Sequence, residues 1–133
     1  MPLTKGYKAL LAEAEAAVET LSLDEAAALL GKEGVTFVDI RDVRELDRDE
    51  MIPGAVHAPR GMLEFWIDPE SPYHRDEFAQ DKKYVLFCAA GWRSALATQQ
   101  LQRMGLDPVC HIEGGFKAWT EAGGPVEPYE KKS

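Results

Sequence analysis

The chain has 133 residues, 15 basic against 23 acidic side chains, a formal charge of −8 and two cysteines. That length supports one ordinary core with little room for a second domain, and 45% hydrophobic with 29% charged residues is globular rather than disordered. The negative balance, unrelieved by any lysine or arginine run, argues against nucleic acid or an anionic membrane as partner, and two cysteines are too few for a disulfide scaffold or a structural zinc site.

No apolar run approaches the roughly 20 residues that a membrane span requires. Glu13, Glu15 and Glu19 punctuate the first 21 residues, where a secretory leader would not tolerate them. The expected address is the cytoplasm, with both thiols reduced.

Leu10, Leu11, Ala14, Ala17 and Val18 recur at three- and four-residue spacings and predict a helix over Tyr7–Val18. A short strand at Glu19–Leu21 follows. Ser22-Leu23-Asp24-Glu25 is a capping-box pattern that starts a helix running through Leu30 and stopping at Gly31. Val35–Ile40 is a nearly continuous β-branched and aromatic run, as in a parallel strand buried on both faces. Arg41–Glu50 is densely charged and reads as a short solvated helix or loop. Ile52–His57 supplies a turn and a brief strand, and Gly61–Phe78, broken by Pro69 and Pro72, reads as short helices and turns.

Lys83–Phe87 is a second buried strand that ends directly on Cys88. A helix over Ser94–Met104, a strand over Pro108–Ile112, a turn at Gly114-Gly115 and a helix over Phe116–Ala122 follow, and Gly123–Ser133 reads as a mobile polar tail. Strands alternating with helices predict an α/β sandwich around a mainly parallel sheet.

In open α/β sheets, function gathers where a strand's carboxyl end meets a helix's amino end. Cys88 is expected there, facing unpaired backbone N–H groups and the positive end of the next helix's dipole. Both favour a thiolate, so the thiol is expected to ionise below its free value of about 8.5. The small residues Ala89, Ala90 and Gly91 allow a tight loop whose amides form an anion nest, and Arg93 adds a permanent cation. The competing reading of Cys88 is a buried structural thiol, a common fate of free cysteine.

Cys88-Ala89-Ala90-Gly91-Trp92-Arg93-Ser94 resembles the Cys-x-x-Gly-x-Arg-Ser active loop of the rhodanese family. Val38-Asp39-Ile40-Arg41, Ile52-Pro53-Gly54-Ala55 and Glu113-Gly114-Gly115-Phe116 with Trp119 resemble three further family signatures, in the family's order. The resemblance implies a rhodanese-like three-layer α/β sandwich around a mainly parallel five-stranded sheet, over residues 21–123. Residues 1–20 are then a helical extension packed on that domain, and 124–133 a polar tail. It also implies sulfurtransferase chemistry through a Cys88 persulfide, without metal or cofactor. The donor would be a small anion such as thiosulfate, and the acceptor cyanide, a small thiol or a protein thiol. The alternatives are a rhodanese-like binding or sulfur-relay module and a thiol redox sensor. Phosphatases and arsenate reductases of the same fold carry one more residue between cysteine and arginine, where this loop has four.

The family commonly shows Gly-His where this chain has Glu50-Met51, and some thiosulfate-specialised members carry positive charge where this chain has Ala89, Ala90 and Trp92. Trp92 would sit on the loop's rim, against an acceptor or over the helix start. Arg93 either contacts substrate or pins the loop through a carboxylate of the Asp39–Glu45 segment. Ser94 is expected to bond the loop, Asp39 and Arg41 to organise it, and Arg60 either to supply a cation at the site mouth or to lie on the surface. Cys110 reads as core, with a resolving thiol as the alternative, and His57, His74 and His111 as structural or surface residues. With so little positive charge, thiosulfate KM is expected to be high and sensitive at Arg93 or Arg60.

Overall fold

A computed structural model describes residues 2–78 and 81–130. Its elements are α1 (Tyr7–Ala17), β1 (Glu19–Leu21), α2 (Leu23–Leu29), β2 (Val35–Asp39), α3 (Val43–Asp49), β3 (Val56–His57), α4 (Leu63–Ile67), β4 (Lys83–Phe87), α5 (Trp92–Arg103), β5 (Val109–Ile112) and α6 (Gly115–Glu121). Short 3₁₀ turns at Arg60–Met62 and Asp76–Phe78 flank the irregular stretch around α4.

The strands form one sheet in the order β1-β5-β4-β2-β3, and every ladder is parallel. Burial on both faces explains the unbroken apolar runs. Val38, Tyr84, Leu86, Cys88 and Val109 pack with Leu63 of α4 and Leu101 of α5 on one side. Phe37, Val85, Phe87, Cys110 and Ile112 pack with Ala26 of α2 and Trp119 of α6 on the other. The fold is an α/β sandwich around a five-stranded parallel sheet, as the resemblance implies, and β4, the strand that leads into Cys88, is its middle strand.

Local chemistry sets most boundaries. Ser22 accepts from Glu25 N while Glu25 accepts from Ser22 N, the reciprocal box expected at the start of α2. Asp42 and Glu45 form the same device at the start of α3, which turns the charged Arg41–Glu50 segment into a defined helix. α5 begins two residues earlier than its periodicity suggests, because Gly91 (φ +95) caps it and brings Trp92 and Arg93 into its first turn. α1 lays Ala14 into the protein and packs against α5, and Gln102 Nε2 donates to the carbonyl of Ala17 at 3.0 Å.

The expected mobile tail is held down instead. Trp119 Nε1 donates to the carbonyl of Pro125 at 2.8 Å. Met51 and Glu127 exchange backbone hydrogen bonds of 2.9 and 2.8 Å in an isolated antiparallel bridge, and the Tyr129 ring meets His57 edge-on. A buried indole that needs an acceptor, plus one rung of backbone pairing, outweighs the polarity of the segment. Residues 131–133 lie outside the described residues.

Candidate active site

Cys88 is the first residue beyond β4 and is 1% exposed. Its Sγ accepts from the backbone N–H of Gly91 at 3.1 Å and of Ser94 at 3.4 Å, and lies 3.6 Å from Ser94 Oγ. Two backbone dipoles and the start of α5 therefore converge on the sulfur, an arrangement suited to negative charge. The carbonyls on the other side of the loop face α6: Lys117 N donates to that of Ala89 at 3.0 Å, and Phe116 N donates to that of Cys88 at 2.8 Å. Gly115 makes this close approach possible. A Cβ there would sit 2.5 Å from Cys88 O and 2.8 Å from Ala89 O, so the first turn of α6 can lie under the loop only without a side chain.

Arg93 forms a fork with Glu45, with Nη1 to Oε1 at 2.7 Å and Nη2 to Oε2 at 3.0 Å. Glu45 supplies the carboxylate from the Asp39–Glu45 segment. Arg93's hydrogen bonds hold the Glu45 carboxyl below the usual range. Arg93 is in turn held more firmly protonated, chiefly by Glu45, with a smaller contribution from the nearby Cys88 sulfur. Trp92 lies on the rim, 57% exposed, with its ring 5.2 Å from that of Tyr7 in α1.

Asp39 and Arg41 are buried beneath the site. Arg41 donates to both carboxylate oxygens of Asp39, with Nη2 to Oδ2 at 2.7 Å, and also to the carbonyl of Glu50 at 2.8 Å. Its guanidinium lies 4.2 Å from the centre of the Phe116 ring, linking the end of β2 to the helix under the loop. To receive that bond, Glu50 takes φ +73, ψ −173, and it is the only non-glycine with positive φ among the described residues. Arg60 is not drawn to the sulfur. It pairs with Glu64 at 2.9 Å and borders neither cleft beside the loop.

Those clefts lie either side of the loop. One, of about 480 Å³, is bordered by Arg41, Asp49, Glu50, Ala89 and Lys117. The other, of about 180 Å³, is bordered by Glu15, Thr20, Ala90, Trp92, His111 and Glu113. His111 is the residue that sequence reading set aside. Its ring is 2% exposed, with Nδ1 3.0 Å from Ser94 Oγ and Nε2 3.1 Å from Thr20 Oγ1. Burial pushes its pKa down to about 4, so it is neutral at physiological pH. A histidine on an apolar strand three residues before the Gly114-Gly115 turn was the available signal, but its partners come from distant segments.

Cys110 faces the other core. It is fully buried, its Sγ is 3.7 Å from the carbonyl of Tyr84, and burial pushes its thiol up to about 12. Cys88 packs in the opposite core, so the sheet stands between the two thiols and the resolving-thiol reading of Cys110 lapses. His57 Nε2 meets the carbonyl of Arg41 at 2.7 Å, and His74 meets Asp76 at 3.5 Å. No helix among the described residues is long and apolar enough to cross a membrane.

A cysteine at the end of the middle parallel strand, with two amides and a helix start turned onto its sulfur, marks an α/β domain whose loop suits a negatively charged sulfur. The rhodanese-like domain profile matches residues 22–122, and the chain belongs to that family. It is 56% identical to a protein of unknown function from Rhodopseudomonas palustris CGA009, described as a possible tyrosine phosphatase. The TM-score is 0.93, over 96% of this chain and 98% of that one. The polysulfide-sulfur transferase homodimer of Wolinella succinogenes is 30% identical, with a TM-score of 0.70 over 93% of this chain and 88% of that one. The thiosulfate sulfurtransferase GlpE of Actinobacillus pleuropneumoniae serotype 5b is 32% identical over 109 residues, covering 80% of this chain and 91% of that protein. An uncharacterized Synechocystis protein is 34% identical over 95 residues, 71% of this chain, and the match spans 48% of its length.

Proposed function

We propose that this protein is a sulfurtransferase that carries a sulfane sulfur on Cys88. The observation that carries the reading is the pair of backbone N–H groups, Gly91 and Ser94, aimed at a sulfur just beyond the end of the middle strand. They suit a thiolate, and equally the persulfide anion that replaces it. The Cys88 thiolate attacks the outer sulfur of thiosulfate, forming one S–S bond while the other breaks and its electron pair leaves with sulfite. A cyanide or thiolate acceptor then attacks the terminal sulfur, and Cys88 departs as thiolate. Two displacements through a covalent intermediate predict ping-pong kinetics.

Two related proteins described as transferring sulfur from thiosulfate or polysulfide support this reading. The R. palustris protein raises phosphoryl transfer. Against it stand four residues between Cys88 and Arg93, and a guanidinium already committed to Glu45 on both nitrogens. The donor would be bound weakly, since the net charge is −8 and Arg93 and Arg60 are each paired to a glutamate. We place the reaction in the cytoplasm.

Intact mass after incubation with thiosulfate or glutathione persulfide tests the proposal. The expected result is a gain of about 32 Da, one sulfur, that is absent from Cys88→Ser. No gain from either donor overturns it and favours a binding module. Turnover of p-nitrophenyl phosphate lost in Cys88→Ser, without any sulfur gain, would move the protein to the phosphatases.

A further inference from the structure

Ser94 and His111 continue from Cys88 as a chain of hydrogen-bonding groups that the displacement chemistry does not use. The parallel registers build it. Leu86 pairs with His111 and His111 with Thr20, so β1, β5 and the end of β4 lie abreast. Alternation along β5 turns His111 away from the core that holds Cys110 and Ile112, and the first turn of α5 presents Ser94 to its ring. The contacts then run from Cys88 Sγ to Ser94 Oγ (3.6 Å), to His111 Nδ1 (3.0 Å), and from Nε2 to Thr20 Oγ1 (3.1 Å).

A neutral imidazole has one donor nitrogen and one acceptor, and a serine hydroxyl has one proton. Only two directions of bonding satisfy every group. With Cys88 as thiol, S–H donates to Ser94 Oγ, Ser94 O–H to Nδ1, and Nε2–H to Thr20 Oγ1. With Cys88 as thiolate, every bond reverses. Thr20 O–H donates to Nε2, Nδ1–H to Ser94 Oγ, and Ser94 O–H to the sulfur.

We propose that His111 is a positioning residue whose tautomer follows the protonation state of Cys88, making Ser94 an acceptor for the thiol and a donor to the thiolate. The protons balance. The thiol proton passes to Ser94 oxygen, the serine proton to Nδ1, the Nε2 proton to Thr20 oxygen, and the threonine proton to solvent. Thr20 is exposed and borders the same cleft as Glu15 and Glu113, whose carboxylates draw the proton outward. At the other end, Arg93 is the cation beside the sulfur, shared with Glu45. Burial keeps the ring from retaining the proton as a cation. Without His111, the Ser94 hydroxyl loses the partner that fixes its orientation toward the sulfur.

The inference rests on Cys88 being the nucleophile, and not on which sulfur donor it attacks. Its test is the pH dependence of Cys88 alkylation by iodoacetamide, followed by peptide mass, in wild type, His111→Phe, His111→Asn and Thr20→Val. In His111→Phe the pH of half-maximal rate moves up by about one unit, so alkylation below it is about tenfold slower, the scale of one lost hydrogen bond to an ion. His111→Asn, which still offers Ser94 a donor and an acceptor, recovers most of the shift. Thr20→Val moves the midpoint the same way by a smaller amount. A histidine with a purely structural role would lower stability and leave the midpoint in place. Midpoints of His111→Phe and Thr20→Val that coincide with wild type overturn the proposal. Should His111→Phe not fold, an unmoved midpoint in Thr20→Val does so alone. Iodoacetamide needs no sulfur donor, so a wild-type protein that never gains sulfur would sink the transferase reading and leave this result intact.

Discussion

Arg93 and Glu45 meet through two parallel N–H···O bonds, 2.7 and 3.0 Å long, that join the first turn of α5 to the first turn of α3. The fork locks the arginine beside the Cys88 loop and spends its charge partly on Glu45. The pair persists above the ordinary glutamate range, and loosens only as pH falls through the lowered pKa of Glu45. Arg60 is paired with Glu64 away from both clefts. The two arginines are therefore expected to behave differently. Arg93→Gln should raise thiosulfate KM about tenfold by removing a charge-assisted contact near the site, whereas Arg60→Gln should change it less than about twofold. Initial rates against thiosulfate concentration decide this, and equal sensitivity at both positions contradicts it.

Glu50 holds a backbone conformation, φ +73 with ψ −173, that is essentially reserved for glycine and costs about 1–3 kcal/mol in other residues. The strain persists because its carbonyl receives the buried guanidinium of Arg41. Glu50→Gly should therefore stabilise the protein by about 1 kcal/mol, the released strain being partly offset by extra freedom in the unfolded chain. Urea unfolding measures it, and a lower midpoint for the glycine variant contradicts the assignment.

Gly115 and Gly123 both have positive φ, but only Gly115 faces a close neighbour. Gly115→Ala should cost about 3 kcal/mol or more and disturb sulfur loading, since the new methyl overlaps the carbonyls of Cys88 and Ala89. Gly123→Ala meets open space and should cost only about 1 kcal/mol, with loading unchanged. Thermal unfolding together with mass analysis separates the two effects.

His111 makes stability depend on mildly acid pH. Its pKa falls from 6.5 to about 4 on folding, so between those values the unfolded chain binds a proton that the folded chain refuses. Stability is thus complete above pH 6.5 and lost as pH falls toward 4, by up to roughly 3 kcal/mol. His111→Asn should flatten this part of the profile, seen as urea midpoints at pH 7 and pH 4.5. A wild-type profile with no such slope refutes the burial argument.

What could be read from the sequence was what is local in it. Cys88 through Ser94 and the Gly114-Gly115 turn are contiguous, and their meaning follows from strand, tight loop and helix start in succession. The partner of Arg93 could be narrowed to one segment because the fold carries β2 past the loop. The Cys88–Ser94–His111–Thr20 chain was hidden, since it arises from strand register across segments 91 residues apart. The strain at Glu50 showed only as a departure from the family's Gly-His pair. The held-down tail was hidden too, because polar composition does not disclose that Trp119 needs the carbonyl of Pro125.

The position of Trp92 gives the loop its own optical reporter. Its indole is largely in water, its ring tilted against that of Tyr7, and it belongs to the same turn as Arg93. Trp119 is sealed in the core at 1% exposure, and Trp66 is covered by the guanidinium of Arg75 at 3.8 Å. A charge or ligand arriving beside Cys88 therefore changes the emission of one tryptophan against two steady ones. Fluorescence of the native chain, without dye or label, is thus expected to follow the proposed loading and discharge of Cys88 in real time.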